Sequence, residues 1–168
     1  SSEVYGSCQK PISEDNVLNP TSPYGASKAS ADRAAYAWRV TYGLPIAIIR
    51  PFNTFGPRHT YDVVPKFINL ALGDEPLTIH GSGKQTRDFT FVSDTVNGFL
   101  LMGSHPRAIG QVVNFGAGNK VSIEKLAKMI ILLSGSNSKL IYNKERLAEV
   151  QNLTCDWKKA KFFFNWSP

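Results

Sequence analysis

The sequence predicts an α/β protein, and three observations support this. Short apolar segments rich in β-branched residues alternate with segments of helical pattern along the chain. Several of the helical segments begin at a residue that can cap a helix and end at a glycine. The composition, with 42% hydrophobic and 11% aromatic residues, suits a packed core. The 168 residues fit one domain or part of a larger one.

The first part of the chain is predicted to contain a loop, a long helix and a buried strand. Residues 9–21 are rich in proline, asparagine, serine and acidic residues, which is typical of a surface loop. Ser22 and Pro23 suit the start of a helix, and Gly43 suits its end. The segment 44–52 ("LPIAIIRPF") is a short isoleucine-rich run, which indicates a buried strand of a parallel sheet.

The rest of the chain continues the alternation of helices and strands. Helices are predicted after Asp62, from a cap at Ser93, and from a cap at Ser122, and Gly73 and Gly135 end the first and last of them. Strands are predicted in the segments "EPLTIHG", "QVVNFGAG" and "KLIYN".

Charge and composition narrow the classes of partner. The formal net charge of +6 favours an anionic partner, but the basic residues are spread along the chain. Nucleic acid stays open on charge alone, yet no aromatic-rich basic platform supports it, and a phosphorylated small molecule would need only a few arginines. No apolar run is long enough for a membrane span. Cys8 and Cys155 lack metal-ligand spacing, so no metal site is expected, and without a secretory leader pattern a reducing cytoplasm is the default expectation.

The stretch "SPYGASK" places Tyr24 and Lys28 four residues apart. Residues at this spacing are neighbours on one helix face, and an ammonium beside a phenol stabilises the phenolate that accepts a proton. Helices also carry such pairs by chance, so the pair alone does not define a site.

Three other stretches contain polar groups that a ligand site could use. "SSEVYG" offers a hydroxyl and a carboxylate before a turn, and "RPFNTFGPR" follows a predicted strand, where α/β proteins place ligands. "GSGKQTRDF" is not a Walker loop, because Thr78 stands where that pattern requires glycine. Its Arg87 could pair with a phosphate or remain solvated.

The motifs taken in order resemble one family. They are Ser-Ser-Glu-x-Tyr-Gly, Ser-Pro-Tyr-x-x-x-Lys, Arg-Pro-x-Asn-x-x-Gly-Pro-Arg, Thr-Arg-Asp-Phe, Asn-x-Gly-x-Gly, and a closing Asp156 with "NWSP". This order resembles the extended short-chain dehydrogenase/reductases that act on nucleotide sugars. The resemblance implies a partial Rossmann-like, NAD(P)-binding fold: residues 1–52 would end the dinucleotide-binding part with the catalytic helix. Residues 53–168 would form mostly the substrate-binding part, with returning Rossmann elements, the whole being one incomplete unit.

The resemblance also assigns roles to four catalytic residues. It implies that Tyr24 is the catalytic base and that Lys28 assists it and holds the nicotinamide ribose. Ser1 would hydrogen-bond the sugar hydroxyl that is oxidised. Glu3 matches the acid/base carboxylate of the dehydratases and decarboxylases.

Four further residues are implied in binding. Phe52 would lie where the backbone approaches the nicotinamide of NAD, alongside the ribose contact from Tyr24 and Lys28. Asn53 would contact the nucleotide sugar. Arg87 and Arg146 would face its diphosphate and nucleoside.

The implied activity is NAD-dependent modification of a nucleotide sugar by transient oxidation at C4. A carboxylate at Glu3 favours a 4,6-dehydratase, a lyase, and Ser2 stands where thymidine-linked dehydratases carry aspartate, which disfavours that substrate. The alternatives are a 4-epimerase, an isomerase, or a UDP-glucuronate decarboxylase. A non-catalytic nucleotide-sugar-binding or interaction module is the alternative of another class.

The printed sequence departs from the family at its start. No glycine-rich GxxGxxG turn precedes Ser1 or occurs later, so the sequence looks like a C-terminal half. We therefore expect this chain alone to be inactive and to hold NAD weakly. In relatives the Tyr-Lys helix lies near a dimer contact, so the resemblance is compatible with a homodimer.

Overall fold

Helices and short strands alternate along the whole chain in a computed structural model that describes residues 1–168. The helices are α1 (Pro23–Tyr42), α2 (Val63–Leu72), α3 (Val92–Ser104), α4 (Ile123–Ser134) and α5 (Lys158–Phe164). The strands are β1 (Ile48–Pro51), β2 (Asn53–Phe55), β3 (Leu77–His80), β4 (Thr86–Arg87), β5 (Phe89–Phe91), β6 (Val112–Phe115), β7 (Val121–Ser122) and β8 (Leu140–Asn143). None of the helices is long and apolar enough to cross a membrane.

The capping residues define two of the predicted helices as expected. The Ser22 side chain accepts a hydrogen bond from the Gly25 N–H at the start of α1, and the Ser122 side chain does the same for the first turn of α4. Both helices end at glycines in the left-handed conformation, Gly43 and Gly135, which a residue with a Cβ adopts only with strain.

Parallel pairing of strands distant in sequence confirms the α/β prediction. Strand β1 pairs with β6, β2 with β5, and β3 with β8, all parallel, whereas the short β4 and β7 are antiparallel. The predicted strand 44–52 is shorter than expected, since regular pairing begins at Ile48 and breaks at Phe52. The next residues form β2, which turns to a different partner, so the chain changes direction at Phe52–Asn53, beside the predicted site.

Two sequence predictions were wrong in detail. Ser93 does not cap α3, because β5 runs directly into the helix, which begins at Val92 with Phe91 in the cap position and no side-chain cap. Residues 9–21 are not wholly a surface loop, because Ile12 is fully buried. Its N–H donates to the Thr154 carbonyl, and its backbone forms a β-bridge with Cys155.

Buried apolar residues form three clusters around these elements. One joins α2, β3 and α4 (Phe67, Ala71, Leu77, Ile79, Ile123, Leu126, Ala127, Ile130). A second lies under the 3₁₀ turn Ser2–Tyr5 (Val4, Tyr5, Ile12, Phe52, Val150, Leu153, Cys155). The third packs α3 and β6 against α5, which sequence reasoning had missed (Met102, Ala108, Val113, Phe115, Ala160, Phe164, Trp166). The second cluster fixes the turn and Phe52, which carry part of the predicted site.

Candidate active site

A cleft of about 1110 Å³ runs between one face of α1, the Ser2–Tyr5 turn and the β1–β2 junction. All four predicted catalytic residues line it, together with two of the predicted binding residues (Ser1, Glu3, Tyr24, Lys28, Phe52, Asn53). These residues come from three separate stretches of sequence, so the tertiary fold brings the motifs to one place.

Tyr24 and Lys28 share the face of α1 that borders the cleft. The Lys28 Nζ lies 5.6 Å from the centroid of the Tyr24 ring. The Tyr24 side chain is half-exposed, so its hydroxyl is accessible to a ligand. The Lys28 ammonium thus lies over the ring of the tyrosine that borders the cleft.

The Ser2–Tyr5 turn places Glu3 at the start of the same helix. The Glu3 Oε2 accepts a hydrogen bond from the Ser22 hydroxyl at 3.3 Å. The Ser1 Oγ in turn accepts from the Glu3 N–H at 3.3 Å. The helix cap thus connects the two polar motifs, and it orients the carboxylate toward the cleft that Tyr24 also borders.

A second cavity, of about 600 Å³, holds the two predicted arginines. The Arg87 guanidinium lies 2.6 Å from the Glu149 carboxylate and donates to the carbonyls of Val150 and Thr86. It therefore borders the cavity with its charge already paired, and an anionic ligand would compete with Glu149 for it. Arg146 lies in the same wall as an exposed side chain.

The two cavities adjoin, and a small set of residues borders both (Glu3, Asn53, Thr54, His59, Tyr61, Asp62). A ligand with its reacting end at Tyr24 and its anionic end at the arginines would cross this junction. Asn53 was predicted as a ligand contact and lies there. His59 was not predicted, because a single histidine in a polar loop gives no distinctive pattern.

A buried polar network beneath the cleft was also missed from sequence. The Arg50 guanidinium donates to both carboxylate oxygens of Asp32, at 2.8 and 3.1 Å, and to the Tyr5 hydroxyl at 2.6 Å. The Tyr5 hydroxyl donates to the Asn114 Oδ1 at 2.8 Å. The network ties α1 to β1, β6 and the Ser2–Tyr5 turn. A signal was present: Asp32 follows Lys28 by one further helical step of four residues, so it shares the same face.

Burial and pairing shift the pKa values of this network in physically consistent directions. Burial raises the pKa of Tyr5 to about 12, against the opposing effect of Arg50, so the phenol stays protonated. Burial alone would raise the pKa of Asp32, but hydrogen bonds from Arg50 and Arg33 outweigh it and hold that pKa below its ordinary value. Asp32 is therefore ionised and pairs with the Arg50 cation. The network holds α1 in place and does not act as a proton donor.

Asp88, the acid of the Thr-Arg-Asp-Phe motif, is fully buried and has a structural role. Its carboxylate accepts hydrogen bonds from the N–H groups of Ala117, Gly118 and Cys155, at 2.9, 2.9 and 2.7 Å. Burial raises its pKa, although these donors favour the charged form. The motif next to Arg87 thus anchors the glycine turn after β6.

Comparison with known proteins shows the family. The family model described as GDP-mannose 4,6 dehydratase matches residues 1–168, the whole chain. The chain belongs to this family of nucleotide-sugar epimerases and dehydratases. It is thus an extended short-chain dehydrogenase/reductase, as the ordered motifs predicted.

Curated members of the family share about a third or more of the sequence. The chain is 36% identical to "Uncharacterized UDP-glucose epimerase YtcB" of Bacillus subtilis over 99% of the chain and 53% of that protein. It is 39% identical to "UDP-glucuronic acid decarboxylase 1" of Xenopus tropicalis over 99% of the chain and 41% of that protein. The chain therefore spans about half the length of the curated relatives it matches.

Solved structures of family members confirm the Rossmann-like α/β fold as a partial domain. UDP-glucuronic acid 4-epimerase of Bacillus cereus, solved with UDP-glucuronic acid and NAD, superposes with a TM-score of 0.95 at 33% identity, covering 100% of this chain and 54% of that one. The dTDP-glucose 4,6-dehydratase of Bacillus anthracis, solved with NAD, superposes with a TM-score of 0.93 at 30% identity. The match covers 100% of this chain and 54% of that one. Dehydratases, epimerases and decarboxylases thus all occur among the relatives, and the family uses NAD.

The residues in the first cleft fit the nicotinamide end of that cofactor. The Tyr24 hydroxyl is accessible beside a lysine cation, and the fully packed Phe52 gives one wall a rigid backbone, held by its N–H bond to the Phe115 carbonyl. The glycine-rich turn that grips the pyrophosphate in Rossmann folds does not occur in the printed sequence.

Proposed function

We propose that the protein is a NAD-dependent nucleotide-sugar 4,6-dehydratase, to which this chain contributes the proton-transfer groups and much of the sugar-nucleotide site. The observation that carries the proposal is the shared cleft: the Glu3 carboxylate borders the same space as Tyr24 and Lys28. Epimerisation at C4 needs a base for the C4 hydroxyl but no second acid/base group. A carboxylate beside the base is what elimination of water requires.

The chain's residues would act in two proton transfers. When bound, NAD supplies the hydride acceptor and later the hydride donor. Tyr24, as phenolate, would take the C4 hydroxyl proton as the hydride leaves C4, and Lys28 would stabilise the charge on its oxygen. The resulting ketone acidifies the C5 hydrogen. Glu3 would then take the C5 proton, and the Tyr24 phenol, which holds the proton from the C4 hydroxyl, would supply the proton with which the C6 hydroxyl leaves as water. Glu3 would return its proton to C5 once the bound cofactor has given its hydride to C6, so both residues would regain their starting states.

The test is a product assay on a protein that contains the N-terminal half as well as this chain. UDP-glucose, dTDP-glucose and GDP-mannose would each be incubated with enzyme and examined for a 4-keto-6-deoxy product by mass spectrometry and carbonyl absorbance. Formation of that product supports the proposal, whereas enzyme that only interconverts C4 epimers contradicts it.

A matched variant separates the two proton transfers. Glu3→Gln keeps the size and the hydrogen bond to Ser22 but cannot accept a proton. We expect this variant to build up NADH without releasing product, because C4 oxidation depends on Tyr24 while elimination depends on Glu3. Full product formation in Glu3→Gln would remove Glu3 from the mechanism.

Decarboxylation of a UDP-hexuronate is the second candidate, because the same carboxylate is compatible with it and a UDP-glucuronic acid decarboxylase is among the similar relatives. There the C4 ketone would make C6 a β-keto carboxylate, which loses carbon dioxide without elimination of water. The discriminating experiment is incubation with UDP-glucuronate, with release of carbon dioxide and a UDP-pentose as the readout.

Helix α1 supports the further proposal of a homodimer. Only Gly25 and Asp32 are buried along it, and several large apolar side chains on it are exposed (Tyr36, Trp38, Val40, Tyr42). Apolar surface of this kind marks an interface. Light scattering over a range of concentrations tests it, and a monomer at all of them would contradict it. The cytoplasmic location stays a prediction.

A further inference from the structure

At the junction of the two cavities, two polar atoms lack any partner. They are the Oδ1 of Asn53 and the Nδ1 of His59. Both atoms are buried, and neither forms a hydrogen bond in this structure. Buried polar atoms are nearly always paired, because an unpaired one loses its bond to water without replacement. Two such atoms on residues that border both cavities therefore indicate where a ligand supplies the missing partners.

The contacts of the His59 ring determine which kind of partner it needs. Its Nε2 lies 3.5 Å from the Asp62 Oδ2, and its ring lies edge-on to Tyr61 with the centroids 4.7 Å apart. The carboxylate favours the tautomer in which Nε2 carries the proton. In that tautomer Nδ1 is an acceptor, as is the amide oxygen of Asn53. Both unpaired atoms thus require a hydrogen-bond donor.

The backbone around His59 holds the ring in place. Arg58 and Asp62 both have positive φ angles, 68° and 74°, which residues with side chains rarely adopt. Such conformations persist where the surrounding structure enforces them, and they concentrate at binding sites. The loop between β2 and α2 therefore presents His59 in a fixed orientation.

From these observations the geometry points to His59 as a specificity-determining residue that, with Asn53, accepts hydrogen bonds from hydroxyl groups of the sugar ring. The inference rests on the proposed function, since it places the sugar between Tyr24 and the arginines. A neutral hexose offers hydroxyl donors at this place. A carboxylate group offers only acceptors, so the pair would bind hydroxyl groups of the sugar rather than a carboxylate at C6.

Two variants of His59 isolate this role. His59→Phe keeps an aromatic ring against Tyr61 but has no acceptor, whereas His59→Asn keeps an acceptor on the Cγ atom, at the reach of the histidine Nδ1. Each would be titrated calorimetrically, in the chain of the printed sequence, with UDP-glucose and dTDP-glucose and with the matching nucleoside diphosphates. Circular dichroism melting establishes that each variant is folded like the wild type.

We expect His59→Phe to bind the nucleotide sugar about tenfold more weakly, which corresponds to about 1.4 kcal/mol, with unchanged affinity for the nucleoside diphosphate. His59→Asn should retain most of the affinity. Equal losses for sugar and diphosphate, or no loss in His59→Phe, would overturn the role of His59 while leaving the proposed function in place. Absence of binding of all these ligands by the wild-type chain would overturn the placement of the sugar at this junction, while the product assay on the longer protein would still decide the proposed function.

Discussion

Removal of the Asp32 carboxylate should destabilise the protein more than the breaking of any of its exposed ion pairs. The Asp32 and Arg50 side chains are only 5% and 4% exposed, so water barely screens their interaction. Asp32→Ala deletes two charge-assisted hydrogen bonds from Arg50 and two from Arg33. It leaves the Arg50 guanidinium buried with the Tyr5 hydroxyl as its remaining side-chain partner. Breaking one side of a buried pair costs about 3–5 kcal/mol. We expect the lower end, about 3 kcal/mol, because the Tyr5 bond remains.

Urea unfolding followed by circular dichroism measures this loss in free energy of unfolding. The control is Lys128→Met, which breaks the exposed Glu124–Lys128 pair of α4 and should change the free energy of unfolding far less, because water screens that pair. The double variant Asp32→Ala with Arg50→Met should lose less than the sum of the two single changes, because it leaves no buried charge unpaired. If Asp32→Ala were no more destabilising than Lys128→Met, the network would not hold the helix.

The pH dependence of a second variant, Asp32→Asn, has a definite sign. The pKa of Asp32 is lower in the folded protein than its ordinary value, so the folded state favours the carboxylate. Its contribution to stability is fully present above the unfolded pKa of about 3.9 and is lost as the pH falls through the folded value. The stability gap between wild type and Asp32→Asn should therefore be constant near neutrality and shrink below about pH 4.

Three other predictions concern the site and the core. In a protein that includes the N-terminal half, Tyr24→Phe should lower turnover by roughly 10²–10⁴ with an unchanged melting curve, and wild-type turnover would show that the tyrosine is structural. The chain of the printed sequence should show no micromolar affinity for NAD⁺ by calorimetry, because it lacks the glycine-rich helix start whose backbone N–H groups bind the pyrophosphate. Micromolar binding would mean that the cofactor site lies elsewhere. Gly98→Ala should cost about 1–3 kcal/mol of unfolding free energy, because the new Cβ would lie 2.5 Å from the Phe115 ring, whereas Gly103→Ala on the same helix meets nothing within 4 Å and should be neutral or stabilising by up to about 1 kcal/mol. Equal effects at the two glycines would refute the packing argument.

Local signals in the sequence were sufficient for the elements that depend on local chemistry. The caps of α1 and α4 were predicted because a serine hydroxyl and a left-handed glycine act within one turn of the chain. The alternation of apolar runs predicted parallel strands, and the ordered motifs predicted the family. The Tyr24–Lys28 pair followed from helical spacing alone.

The tertiary structure decided what depends on residues far apart in the chain. Strand pairing ends β1 before Phe52, although the apolar run 44–52 continues through it. Helix α3 begins at Val92, directly after a paired strand, so Ser93 is not its cap. Ile12 is buried beside Cys155, which is distant in sequence. The sequence by itself predicted the candidate catalytic residues, since the order and spacing of the motifs, which are properties of the chain alone, resemble one family. Only the fold decided that Asp32 pairs with Arg50 and that His59 faces the junction without a partner, because burial and pairing depend on long-range contacts that no local pattern encodes.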